Sequence, residues 1–143
     1  DGYPRKRGHT RVDELLERGV NVCIGHDSIM DPWYSMGKGN MIAAANLLAH
    51  TAHMNGHDQI TTLMDMITAR SAKTLMVEDD YGLEVGKPAD IVILDARNDA
   101  EAVRLISECL YVIRKGKIIS KATPALRTLY IKEDPETVDF KLK

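Results

Sequence analysis

Apolar and polar positions along this chain follow a helical rhythm first and a strand rhythm later. Thr10-Arg-Val-Asp13 reads as a capping-box-like start, Val12, Leu15 and Leu16 share one helical face, and Gly19 stands at the expected stop, which predicts a short helix over residues 11–18. Val20-Asn-Val-Cys-Ile24 then runs apolar residues together as a buried strand would, with only Gly19 to turn the helix into it. Between Ser28 and Gly39 lie Asp31-Pro32, Gly37 and Gly39, so a long loop follows the strand, in a place where loops commonly bind ligands. From Asn40, the positions Met41, Ala44, Ala45, Leu48 and Ala52 predict a helix that Asn55-Gly56 ends. Another helix is predicted to begin near Thr62, which with Asp65 repeats the capping pattern, and to turn Leu63, Met66, Ile67 and Leu75 inward.

The rhythm changes near Val77. Gly82-Leu-Glu-Val-Gly-Lys-Pro-Ala-Asp90 is rich in turn formers, Ile91-Val-Ile-Leu94 reads as a fully buried strand, and Tyr111-Val-Ile113 and Ile118-Ile119 flank Lys115-Gly116 as a hairpin. Residues 98–108 predict a short helix with Ala102, Val103 and Ile106 on one face, and Thr128 to Ile131 a last strand before a charged, mobile end. The chain therefore divides into residues 1–77 and a β-dominated stretch, 78–143, without internal repeats. The fold class is α/β.

Composition narrows the field. An apolar fraction of 44% and a charged fraction of 28% are those of a soluble globular protein, and a net charge of −2 gives no electrostatic case for nucleic acid or an anionic membrane as partner. No apolar run approaches the roughly 18 residues of a membrane span, and no leader opens the chain. Cys23 and Cys109 lack any ligand spacing and read as reduced core thiols, which suits a cytoplasmic location. The first residue is Asp1 rather than Met, as in a processed chain or a piece of a longer one.

Chemistry is expected at residues 26–28, because α/β folds place reactive groups at strand C-termini. Asp27 is the best catalytic candidate, although it cannot act alone; the plainer reading is that it caps the loop through the amides of Ser28 and Ile29. His26 would face the other side of an extended strand and is read as structural. His50, His53 and His57 have metal-like spacing but lack the Glu of H-E-x-x-H, and are read as surface or helix-end residues. His9 has no partner in view. Gly86 and Gly116 are turn glycines, and the H-x-E and P-C-x-x-C motifs of zinc nucleobase deaminases are absent from the sequence.

Gly-His-Asp-Ser-Ile-Met-Asp-Pro-Trp-Tyr, residues 25–34, resembles the segment after the eighth barrel strand of bacterial cytosine deaminases, members of the amidohydrolase superfamily. Gly8-His-Thr-Arg-Val12 before it and Asp80-Tyr-Gly-Leu-Glu-Val-Gly-Lys-Pro-Ala-Asp-Ile-Val-Ile-Leu-Asp95 after it resemble the same family in the same order. The resemblance implies the C-terminal part of a (β/α)8 barrel, its last strand and helices over residues 1–77, followed over 78–143 by strands of the accompanying β-sandwich. It further implies a homo-oligomer and one divalent metal ion, iron or zinc, with Asp27 as ligand and proton carrier. The family's remaining ligands, a His-x-His and two later histidines, lie outside this chain, so the isolated chain is expected to be inactive.

Ser28 and Trp33 resemble positions near the pyrimidine. A Trp can pack on a flat heteroaromatic ring, although Trp33 could equally anchor the loop, and Ser28 stands where relatives can carry a second acidic residue. The implied activity is hydrolysis of the exocyclic amine of cytosine or a related small nucleobase-like ring. Hydrolysis of a cyclic amide or a triazine amine, and a non-catalytic α/β interaction module that keeps Asp27 as a vestige, stay open as alternatives.

Overall fold

In a computed structural model of the chain, which describes residues 8–131 and 133–138, helix α1 (Val12–Glu17) ends where Gly19 lets it. Gly19 takes φ +73°, its amide donates to the Leu16 carbonyl at 2.9 Å, and the Val20 amide reaches back to Leu15 at 3.0 Å. These two bonds satisfy carbonyls that a helix end leaves open. The expected capping box does not form: Arg11 occupies the N-cap without a side-chain cap, and its guanidinium pairs with Glu14 one turn on.

Asn40 starts helix α2 (Met41–Thr51), its Oδ1 accepting the amides of Ile42 at 2.9 Å and Ala43 at 3.2 Å. The buried stripe is Ile42, Ala45 and Ala49, rotated by about one position from the expected face. The helix stops before Asn55-Gly56, because His53 adopts a left-handed φ of +55° and lets the Met54 amide return to Ala49 at 2.9 Å. Met54 is then buried.

Helix α3 (His57–Ile67) begins at Gly56 rather than near Thr62, since the Gln59 side chain accepts the Gly56 amide at 2.8 Å. Leu63 and Met66 are fully enclosed, each with 0% of its surface exposed. At Thr68 the backbone (φ −126°, ψ −99°) leaves the helical region before α4 (Ala69–Thr74) resumes. That break re-aims the apolar face, so Leu75, expected inside, is 69% exposed.

The strand expected at residues 20–24 forms no ladder. Among the described residues 8–77 no other strand exists to pair with it, and a strand is defined by its partner. The segment is held by helices instead. The Ile24 amide donates to the Met66 carbonyl at 3.0 Å, and Asn21 Nδ2 donates to the Arg70 carbonyl and to Thr74 Oγ1, both at 3.0 Å.

The described residues form two compact units that divide between Val77 and Glu78. In the second, Lys87 Nζ gathers the carbonyls of Glu78 (3.1 Å) and Tyr81 (2.7 Å) and so closes the turn-rich connector. Strands β1 (Ile91–Leu94), β2 (Cys109–Arg114) and β3 (Lys117–Lys121) make an antiparallel sheet in the order β1-β2-β3. Lys115 and Gly116, at φ +48° and +73°, form the hairpin's two-residue turn, and both central residues of such a turn need positive φ. β1 is not fully buried as expected: Val92 and Ile93, which point to opposite faces of the sheet, are both exposed.

Helix α5 (Asp99–Leu105) is capped by Asn98, whose Oδ1 accepts the Glu101 amide at 2.9 Å, while the buried Glu101 carboxylate accepts the Arg97 amide at 3.1 Å. Ala102 and Val103 are buried, whereas Ile106 ends the helix in a left-handed conformation and is exposed, against expectation. Leu129, but not Ile131, belongs to strand β4 (Thr128–Leu129), which pairs with β5 (Glu136–Thr137). Both cysteines are free; Cys109 is exposed rather than in the core, and Cys23 is half-buried. The charged end expected to be mobile lies outside the described residues from position 139 on. No helix among the described residues is long and apolar enough to cross a membrane.

Candidate functional site

Residues 28–37 leave the end of the tethered segment and come back to it. Gly37 is buried, and a Cβ there would lie 2.0 Å from the Ser28 carbonyl oxygen and 3.1 Å from His26 Cε1. Only glycine allows that closure, because the obstacle is backbone and cannot swing away. The result is a closed Ω-type loop with its two ends in contact.

Asp31 is the hub of the loop. Its Oδ1 accepts the amides of Trp33 and Tyr34, each at 2.9 Å, and the Ser28 side chain lies near enough to favour its ionised form. Pro32 between them has no amide to offer and fixes its own φ, so the carboxylate reaches past it to the next two donors. The Tyr34 amide foremost, these groups hold the Asp31 carboxyl below its ordinary pKa, against desolvation, which is second in size and pushes it up.

The Asp27 carboxylate is exposed and has no hydrogen-bond or ionic partner among the described residues. The loop-capping duty that was the plainer reading of Asp27 falls to Asp31. Ser28 is half-buried, and its side chain helps to lower the Asp31 pKa. Trp33 has its amide fixed and its side chain largely in solvent, at 74% exposure. The His26 ring lies against Gly37. His9, expected to be without a partner, donates from Nδ1 to the Thr10 carbonyl at 2.7 Å and places Nε2 2.9 Å from Thr51 Oγ1.

His50, His53 and His57 are all exposed, and among the described residues no group of three His, Cys, Asp or Glu could hold a metal ion. The described residues thus suit one ligand position, the Asp27 carboxylate, and not a closed site. Asp31 and Gly37 escaped notice in the sequence as organisers of the loop. Their signal in the sequence is Asp-Pro followed by two amide donors and a glycine at the loop's return.

An α/β chain with an uncommitted carboxylate beside a closed loop is a general arrangement, and comparison with known proteins narrows it. Residues 1–120 match the amidohydrolase family, and the chain belongs to that family. It resembles the crystal structure of 5-methylcytosine deaminase from Klebsiella pneumoniae liganded with phosphonocytosine, with a TM-score of 0.80 and 45% identity over 89% of this chain and 31% of that one.

Among curated proteins it is 34% identical over 110 residues to N-isopropylammelide isopropyl amidohydrolase of Pseudomonas sp. (strain ADP), covering 77% of this chain and 27% of the relative. It is 30% identical over 126 residues to the pterin deaminase of Rhizobium rhizogenes (strain K84 / ATCC BAA-868), covering 88% and 28%. The chain thus spans between a quarter and a third of the length of these relatives.

Proposed function

We propose that this chain contributes to a metal-dependent deaminase that hydrolyses the exocyclic amine of cytosine, or of a closely related ring, to release ammonia. Residues 1–77 would be the last strand and helices of a (β/α)8 barrel, and residues 78–143 part of the adjoining β-sandwich. The observation that carries the reading is the 45% identity, over 89% of the chain, to a 5-methylcytosine deaminase. The exposed, unpartnered Asp27 carboxylate is consistent with it, being available to a ligand from outside the described residues.

Asp27 would hold one position on a divalent ion, iron or zinc, whose remaining ligands lie outside this chain. Such an ion, when bound, lowers the pKa of water toward neutrality. Asp27 takes the proton released as water adds to the ring carbon bearing the amine, and returns it to the nitrogen that leaves as ammonia. Trp33, whose ring is solvent-facing, would pack on the flat face of the substrate.

The test uses the polypeptide encoded by the reading frame that contains this chain. Ammonia release is expected from cytosine or 5-methylcytosine, and none from the 143-residue chain alone. Asp27→Ala should lower turnover by roughly 100- to 10,000-fold and reduce bound metal, while circular dichroism and the unfolding midpoint stay as in the parent. Full turnover and metal content in that variant would overturn the assignment. The likeness to an isopropylammelide amidohydrolase supports a second reading, hydrolysis of a triazine amine, which prevails if only triazines are turned over.

A further inference from the structure

We infer that Asp31 is a positioning residue: through Ser28 and the amides of Trp33 and Tyr34 it sets where Trp33 stands relative to the Asp27 carboxylate. Ser28 accordingly acts on the loop and not on the substrate. The functional half of this inference rests on the proposed deaminase reading; the structural half does not.

Three observations lead there. The loop is closed at its base, with Gly37 packed against the Ser28 carbonyl, so its two ends stand in contact. Trp33 lies midway round that ring of residues and has little packing of its own, so its place is inherited from its backbone. The backbone in turn is fixed by one carboxylate that accepts the Trp33 and Tyr34 amides at 2.9 Å each, with the Ser28 side chain beside it. An ionised carboxylate offers about four lone-pair sites, so a further donor is accommodated on the same residue.

Ser28 adjoins Asp27 in sequence, so the same carboxylate ties the base of the loop, beside the proposed metal ligand, to its tip. Ser28 belongs to the clasp in this proposal, in place of the expected contact with substrate.

Asp31→Ala, Asp31→Asn, Ser28→Ala and the double variant Ser28→Ala/Asp31→Ala, made in the polypeptide that carries this chain, test the inference. A stacking ring that binds ground and transition states alike contributes mainly to KM. Asp31→Ala should raise KM about 10- to 100-fold with kcat changed much less. Asp31→Asn keeps an acceptor oxygen at the same place and should restore most of the loss. Ser28→Ala should raise KM in the same direction and add nothing on top of Asp31→Ala, because both break one clasp.

The emission anisotropy of Trp33, taken as the difference from a Trp33→Phe background, should fall in Asp31→Ala and recover in Asp31→Asn. Effects of Ser28→Ala and Asp31→Ala on KM that multiply would show Ser28 touching substrate by itself and would overturn the inference. Unchanged KM and unchanged anisotropy in Asp31→Ala would overturn it as well. If the parent polypeptide releases ammonia from none of the ring amines, the deaminase reading falls. The anisotropy series still decides whether Asp31 positions Trp33.

Discussion

Residues 20–28 and the β2–β3 hairpin face the same backbone problem and meet it differently. Both carry apolar residues of strand character, and in both each amide and carbonyl needs a partner or water. In the hairpin the partner follows within a two-residue turn, and the register Tyr111↔Lys121 through Arg114↔Lys117 pairs the two runs directly. The segment has no such neighbour. Only the Val20 and Ile24 amides find backbone acceptors among the described residues, the carbonyls of Leu15 and Met66, and both acceptors lie in or at the end of helices. The difference teaches that apolar strand character is a demand for pairing, which a hairpin meets locally and residues 20–28 do not. A barrel strand with neighbours on either side, as proposed, would meet it fully.

The largest effect should come from the side that depends on helices. Met66 has 0% of its surface exposed, and its carbonyl receives both the Ile24 amide at 3.0 Å and the Ser71 hydroxyl at 2.8 Å. Met66→Ala is expected to cost about 2–5 kcal/mol, read from the urea midpoint, and to speed hydrogen exchange at Ile24. If that amide keeps its protection while the midpoint falls, the helices are not what holds the segment, and the comparison breaks there.

A smaller effect is expected on the self-paired side. Gly116 sits at φ +73°, where a β-branched side chain meets the following carbonyl. Gly116→Val should cost roughly 1–2 kcal/mol and raise exchange across Val112 and Ile113. Lys115 already carries a side chain at φ +48°, and its amide is fixed by Asp90 Oδ1 at 2.6 Å, so Lys115→Asn, which suits this turn better, should slow that exchange. A hairpin indifferent to both changes would show that the ladder and not the turn sets its stability.

The same contrast explains what could be read in advance. Gly19, the Asn40 start, the Lys115-Gly116 turn and the short helix after Asn98 were legible because each depends on neighbours a few residues away. The start of α3 was not, because His57-Asp-Gln-Ile60 shows no apolar period and the cap is made by Gln59 reaching back to an amide. Leu75 was misplaced because the break at Thr68 leaves no mark in the periodicity. At the site, Asp27 stood out by its place after an apolar run. Asp31 did not, since Asp-Pro ahead of two amide donors marks a loop without marking its hub. The family resemblance named the position of Asp27, whereas the hydrogen bonds of Asp31 needed coordinates.

The smallest expected effect is also the most local. The Asp31 carboxyl is held below its ordinary value of 3.8, chiefly by the Tyr34 amide, so the ionised form is favoured in the folded loop over the unfolded chain. Its contribution is complete well above 3.8 and is lost as pH falls below that value, through the lower pKa of the folded state. Trp33 is the sole tryptophan of the chain, and its emission should therefore stay constant from about pH 5 to pH 8 and change only in acid beyond the ordinary carboxylate range. Asp31→Asn, which accepts the same amides but does not titrate, should remove that acid step and leave the neutral spectrum intact. Because the group is only half-buried, added salt should shrink the step. A step between pH 5 and 7, or one that survives Asp31→Asn, would mean that another group governs the loop, and that Trp33 is held by something other than its clasp.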